Sequence, residues 1–514
     1  MLTRVDATSL VQLMSRREVS AVEIAHAYIA RVEQVDDRLQ AMPVRYFERA
    51  LREASRVDNR LASGDDVGLL AGVPVSLKEC FDVAGTPTTI GLTHRTQPAP
   101  EDSWLVPMIA KAGGILIGKT NVPQLMLMYE TDNPVYGRTT NPWNDERVCG
   151  GSSGGEAAAV SAGLSALGIG TDLAGSIRVP ATFCGVCGLK PTSHRLPQTG
   201  VAGVFRGMEA FVFQPGPLAR SVADLRLAMQ ILTAEGPQGD PNVPPLKESW
   251  SPRPVEGLRV ASAAPDAVFP RHPSVERAMS LAETSLRDQG VLVERVEIPG
   301  GEQAFDLYVR LLAADGGADV RRLANGSRLD RRVRQMVWMA RLPNPMRPIM
   351  AMLLRGLGAG DEARFVRAAR RLSADEYWQL VDRLQTFGRS FDDWMRTNRW
   401  DAWLSPACRI PAFRHGQSLD LLVAPVDACL ANLLGTPAGV VPITRVHVGE
   451  QIEAPKGRRT SWRDRALCRA DQDAAGLPVG VQLAARRWQD RRVLDLLQAI
   501  EDRAWSDGDA LEGR

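Results

Sequence analysis

Two clusters of glycine and serine carry the residue types in this chain that could do chemistry. They are Gly150-Gly151-Ser152-Ser153-Gly154-Gly155 and Asp172-Leu173-Ala174-Gly175-Ser176, separated by a small-residue run over 157–166 that reads as a closely packed helix. Glycine at this density marks backbone that takes positive φ or approaches another group closely, and serine supplies a hydroxyl that can donate, accept or attack. Both Gly150-x-Ser152-x-Gly154 and Gly151-x-Ser153-x-Gly155 fit the G-x-S-x-G elbow of serine hydrolases. That mechanism calls for a histidine and an acid further along the chain. The six histidines, at 26, 94, 194, 272, 415 and 447, stand in polar or loop-like contexts and carry no motif, which leaves a histidine-based triad weakly supported.

A second base lies upstream. Lys78 sits among apolar neighbours in the strand-like segment 72–83. A lysine in such a place is ordinarily paired, or reaches out to water along its stem. Held at low dielectric, however, it loses proton affinity and can be neutral near pH 7. It can then deprotonate a serine directly or through a second hydroxyl. On this reading Lys78, Ser152 and Ser176 are base, relay and nucleophile, and the small residues before Ser176 let consecutive N–H groups face an oxyanion. The arrangement suits acyl transfer, with Ser176 attacking a carbonyl.

The elements around these residues alternate. Helical spacing runs through 8–63 in three stretches, the last over 45–61, and these read as surface helices on a core that begins later. A helix at 106–112 precedes Gly113-Gly114-Ile115-Leu116-Ile117-Gly118-Lys119-Thr120, which matches G-x-x-x-x-G-K-[ST]. A phosphate loop needs a strand before the glycines and a helix after them, so the match is rejected. Strands are expected at 258–263 and 291–298 around a helix over 274–289, with turn-then-strand pieces at 431–443 and 476–483 and a closing helix over 490–504. Such alternation implies an α/β fold with a mixed sheet. Residues 318–400 are mostly helical and rich in Arg and Met, with Met346, Met350, Leu353 and Leu357 on one face among Arg331, Arg332, Arg334, Arg341, Arg347 and Arg355. An amphipathic insertion of this kind ordinarily packs its apolar stripe on the core. The alternative is a lid that lies on a membrane or covers an apolar channel.

Composition removes other classes. A net charge of +2 over 514 residues provides no electrostatic case for nucleic acid. Seven scattered cysteines, an odd number, point to reduced thiols and a cytoplasmic location. Cys184 and Cys187 form a C-x-x-C without a second pair and read as small core residues. The N-terminus lacks a signal-peptide pattern, and no uncharged apolar run approaches the roughly 20 residues needed to span a bilayer.

Lys78, the G-G-S-S-G-G-E run at 150–156 and D-L-A-G-S-I-R-V-P at 172–180 together resemble the amidase signature family, and the likeness covers most of the chain. The resemblance implies a central twisted mixed β-sheet covered by helices on both faces. Residues 1–65 would pack on a catalytic domain over 66–514 that includes the helical insertion at about 318–400. It implies a Ser-Ser-Lys triad, with Ser176 acylated, Ser152 bridging through a cis peptide and Lys78 as base. Leu173, Ala174, Gly175 and Ser176 would form the oxyanion hole, supported by Asp172, Arg178 and Ser153. Further strings, among them V-S-L-K-E-C-F at 75–81 and P-A-G-V-V-P at 437–442, are similar to the fatty acid amide hydrolase subgroup. There Met126 matches a substrate-contact position, and Met128, beside Ser152 in the expected acyl site, replaces a smaller polar residue. Ala174 stands where the subgroup has glycine, and the N-terminal transmembrane helix of its vertebrate members has no counterpart. The implied activity is hydrolysis of hydrophobic or fatty acyl amides to acid and amine without a cofactor or metal. Residues 331–357 correspond to a membrane-docking cap, giving a cytoplasmic protein with peripheral membrane contact and room for a homodimer. Two other functions fit the same motifs: the amidase component of a tRNA-dependent amidotransferase, and a non-catalytic binding protein on this fold.

Overall fold

The computed structural model describes residues 2–205, 207–234, 239–246, 248–266, 269–452 and 461–504. Within them one sheet of eleven strands forms the centre. In chain order the strands are β1 (Val44–Arg45), β2 (Pro74–Lys78), β3 (Ile115–Thr120), β4 (Leu167–Asp172), β5 (Cys187–Lys190), β6 (Gln214–Ala219), β7 (Arg259–Ala263), β8 (Leu292–Val296), β9 (Ala402–Ser405), β10 (Ala438–Arg445) and β11 (Pro478–Ala485). Across the sheet the order is β1-β3-β2-β4-β6-β5-β10-β11-β9-β7-β8. Strands β3, β2 and β4 run parallel, as do β9, β7 and β8, while the pairings from β4 through β6, β5, β10 and β11 to β9 are antiparallel. The fold is therefore α/β with a mixed sheet flanked by helices.

Strands β2, β3, β4 and β11 are buried along their whole length. Both faces carry helices, which is why these strands read as near-continuous apolar or small-residue runs without alternation. The Ala21–Leu39 helix starts at a Ser20–Glu23 capping box, which satisfies two of its free N-terminal donors. It buries Ile24, Tyr28, Val32 and Leu39 in the main core. These N-terminal helices thus contribute to the core and do not merely lie on it. The closing helix, Asp490–Ala504, buries its Val493, Leu494, Leu496, Leu497 and Ile500 stripe.

The sequence-based expectations fail in three further places. The third N-terminal helix is Phe47–Ala62, because Val44 and Arg45 pair with Lys119 and Gly118 as an edge strand. The small-residue helix is Gly154–Ala162 and stops at Gly163, whose left-handed backbone ends it four residues before β4 begins. The third concerns the Met/Arg insertion, which forms the helices Ala318–Ala324, Arg331–Ala340, Arg347–Gly356, Gly360–Ala368 and Ala374–Thr397. Its apolar stripe does not pack on the core. Of the expected stripe Met346, Leu353 and Leu357 are more than half exposed and Met350 is half-buried, and Ile349, Met352 and Trp338 are exposed beside them. The same helices face inward with Val333, Val337, Ala351 and two arginines. Arg347 donates to the carbonyls of Val366 and Met339, and Arg332 is clamped by Glu130, Asp132 and Asp330.

Candidate active site

Strand β2 ends at Lys78, in register with Thr120 of β3. Its Nζ donates to Ser152 Oγ at 2.7 Å, to Thr171 Oγ1 at 2.8 Å and to the Thr171 carbonyl at 3.4 Å. As an ammonium, Lys78 has one proton for each acceptor; as an amine it keeps a lone pair that can take the Ser152 proton. The side chain is fully buried. Burial pulls its pKa down to about 8, against the upward pull of Cys80, Asp172 and Glu156.

The first Gly/Ser cluster is the turn into the Gly154–Ala162 helix, and its Gly151–Ser152 peptide is cis. Ser153 clasps this turn to β4: its Oγ donates to the Thr171 carbonyl at 3.2 Å and accepts from the Thr171 N–H at 3.3 Å. The Ser153 N–H also donates to the Ser176 carbonyl at 3.0 Å, which joins the two clusters directly. Two glycines of β4 make the approach possible. A Cβ at position 168 would run into the Glu156 carboxyl, and one at 170 would come within 2.6 Å of Ser153 Oγ. Glu156 accepts from Ser76 Oγ at 2.6 Å and Thr120 Oγ1 at 2.7 Å, and burial pushes its carboxyl up to about 8.

The second cluster is built around Asp172. Its carboxylate accepts from Arg178 Nε and Nη2 (both 2.9 Å), from the N–H groups of Gly175 (2.7 Å) and Ile177 (3.1 Å), and from Asn432 Nδ2 (3.0 Å). Burial alone would raise this carboxyl, but Arg178 and the converging donors hold it well below the usual carboxylate range. Arg178 is completed by the Ala428 carbonyl at 3.0 Å and by Gln482 Oε1 at 2.6 Å. Gly175 adopts φ +95° with Ala428 against it, a conformation that favours glycine. Because the Gly175 N–H is engaged by Asp172, it does not face the cavity. Among the described residues the N–H groups of Leu173, Ala174 and Ser176 have no acceptor, and Tyr129 Oη donates to the Ala174 carbonyl at 2.7 Å. Ser176 Oγ makes no hydrogen bond among the described residues, and the side chain lines the adjoining cavity.

That cavity is lined by Ser152, Thr171, Leu173, Ala174 and Ser176 at one end and by apolar and aromatic side chains elsewhere, with no charged residue among them. Met126 and Met128 both line it, whereas Ser153, Asp172 and Arg178 stand behind the turns. Met336 and Phe365 close it from the Met/Arg insertion, so that segment roofs the site. An ion pair helps to attach it: Arg332 pairs with Glu130 at 2.6 Å. The Glu130 carboxyl is held down at about 2, because His415, Arg332 and Gly416 outweigh the effect of burial.

No histidine lines the cavity. His272 pairs with Asp471 at 2.7 Å and His415 with Glu130 at 3.2 Å, both structural. The P-loop-like string is a turn and a buried strand that follow a helix, and Lys119 donates to the Pro87 carbonyl and Thr88 Oγ1. Cys184 and Cys187 are buried thiols outside any disulfide. Among the described residues no three His, Cys, Asp or Glu side chains group so as to hold a metal ion. Sequence reasoning did not assign Thr171, Tyr129, Asn432 or Gln482. Glu156 stands in the G-G-S-S-G-G-E motif without an assigned role, and the other four lie in strings that read only as strands and turns.

A family model described as Amidase matches residues 23–494. Fatty-acid amide hydrolase 1 of Sus scrofa is 33% identical over 512 residues, covering 98% of this chain and 86% of that protein. A glutamyl-tRNA(Gln) amidotransferase subunit from Moorella thermoacetica is 30% identical over 509 residues, covering 96% of each. Among solved structures, a fatty acid amide hydrolase superposes with a TM-score of 0.83 at 25% identity, over 98% of this chain and 85% of that one.

Proposed function

The chain belongs to the amidase family, and we propose that within it this amide-hydrolysing enzyme is a Ser-Ser-Lys serine hydrolase for hydrophobic, fatty acyl amides. The observation that carries the reading is the 2.7 Å contact from a desolvated lysine to Ser152 Oγ, at the end of the same apolar cavity that Ser176 lines. Neutral Lys78 takes the Ser152 proton as Ser152 takes that of Ser176, and Ser176 Oγ attacks the amide carbon. Charge develops on the carbonyl oxygen, where the N–H groups of Leu173, Ala174 and Ser176 receive it. Collapse breaks the C–N bond, and the leaving nitrogen takes its proton from Ser152, which is reprotonated by Lys78. Water then attacks the acyl-enzyme through the same relay, releasing the acid and restoring Ser176.

The lining favours an apolar acyl group. Glutamine bound for an amidotransferase reaction carries an ammonium and a carboxylate, and these would meet no charged partner here. The exposed Trp338, Met346, Ile349, Met352, Leu353 and Leu357, with Arg331, Arg334, Arg341 and Arg355 exposed among them, form a surface suited to the interface of an anionic membrane. The same insertion contributes Met336 and Phe365 to the cavity wall, which would give apolar substrate a route in from the bilayer.

A fluorophosphonate probe with Ser176→Ala, and turnover of acyl amides of graded chain length with Lys78→Ala, test the reading. Labelling and turnover should both disappear. Labelling that persists without Ser176 refutes the assignment of the nucleophile, and activity confined to stable complexes with other chains favours the amidotransferase reading.

A further inference from the structure

We propose that Tyr129 is a positioning residue that holds the oxyanion turn in its working orientation from within the substrate cavity. The inference rests on the hydrolase reading above. Tyr129 follows Met126 and Met128 along the cavity wall, and its Oη donates to the Ala174 carbonyl at 2.7 Å. The next group along the chain, the Gly175 N–H, donates to Asp172 Oδ1 at 2.7 Å. The Ala174–Gly175 peptide is therefore clamped at both ends, by a phenol on one side and a carboxylate on the other.

This peptide lies between the Ala174 N–H and the Ser176 N–H, so anchoring it steadies the turn that carries both. Gly175, at φ +95°, is the joint about which it could turn over. Turning over would place the Ala174 carbonyl against the Asp172 carboxylate and break both bonds that anchor the turn carrying those N–H groups. Asp172 opposes this from behind the turn. Among the described residues Tyr129 is the one group that bonds the Ala174 carbonyl on the cavity side. The ring that contacts substrate thus also fixes where the oxyanion is received, so catalysis and acyl recognition share one side chain.

Tyr129→Phe keeps the ring and removes one hydroxyl. We expect kcat to fall about tenfold with KM unchanged, by the same factor for short and long acyl amides. A trifluoromethyl ketone adds to Ser176 as a hemiketal and places an anionic oxygen in the hole, so its affinity should weaken by the same factor. Binding of a long-chain hydrocarbon ligand, which places no anion in the hole, should not change. An unchanged kcat, a loss that grows with chain length, or an undiminished ketone affinity overturns the proposal and leaves Tyr129 as pocket wall alone. Ser176→Ala titrated alongside separates the two failures. Ketone affinity that depends on Ser176 but not on Tyr129 refutes the positioning role; affinity indifferent to both refutes the hydrolase reading itself.

Discussion

Raising the pH from 6 to 10 titrates Lys78, and the rate should follow its neutral form. Burial places this lysine at about 8. The neutral fraction is then about one in a hundred at pH 6 and about half at pH 8, and it is nearly complete at pH 10. With an amide whose leaving group does not titrate in this range, kcat/KM should rise about tenfold per pH unit below 8 and flatten above it, about a hundredfold in all. Glu156 modulates the position of this limb. Its carboxyl also titrates near 8, and its negative charge favours the ammonium of Lys78, so the observed midpoint belongs to the pair. Glu156→Gln can still bond Ser76 and Thr120 but carries no charge, and the limb should move to lower pH. A flat profile between pH 6 and 10 would refute the lysine-base reasoning. So would a limb near pH 6.5 that survives in Lys78→Ala, which would place the base on a histidine.

The same burial has a cost in stability. Lys78 is lowered from 10.5 to about 8, so between those values the unfolded chain binds more protons than the folded one, and stability rises with pH across that window. Below it the folded state bears about 3 kcal/mol. Lys78→Met should therefore abolish turnover yet raise the Tm at pH 7, with the gain shrinking between pH 8 and 10.5 and gone above it; a lower Tm at pH 7 would show that its bonds to Ser152 and Thr171 stabilise more than its burial costs. Asp172→Asn strips Arg178 of a fully buried counter-charge and should destabilise by about 3–5 kcal/mol in urea unfolding; a loss below 1 kcal/mol would contradict the central place given to Asp172. Met352→Glu with Leu357→Glu should weaken sedimentation with anionic liposomes at least tenfold while leaving hydrolysis of a short, water-soluble amide intact. Equal binding by the variant would refute the membrane face.

The short motifs around Lys78, Ser152 and Ser176 were legible because local pattern encodes them. Glycines mark where backbone must turn or be approached, and a lysine inside an apolar strand marks a desolvated amine. The α/β alternation was legible for the same reason, since the periods of helix and strand are written residue by residue. Other features depended on residues far apart in the chain. Asn432 and Gln482 complete the Asp172–Arg178 centre from 260 and 304 positions away. Tyr129 reaches Ala174 across 45, and Arg332 reaches back to Glu130 to seat the roof of the cavity.

The Gly/Ser stretch together with the upstream Lys78 determined which residues could form a base, a relay and a nucleophile. Only the tertiary structure decided that the Gly175 N–H is taken by Asp172 and that the Ala174 carbonyl is bonded by Tyr129. It also decided that the Met/Arg stripe faces outward. Amphipathic spacing specifies that a helix has an apolar side, but what covers that side depends on where the rest of the chain has already packed.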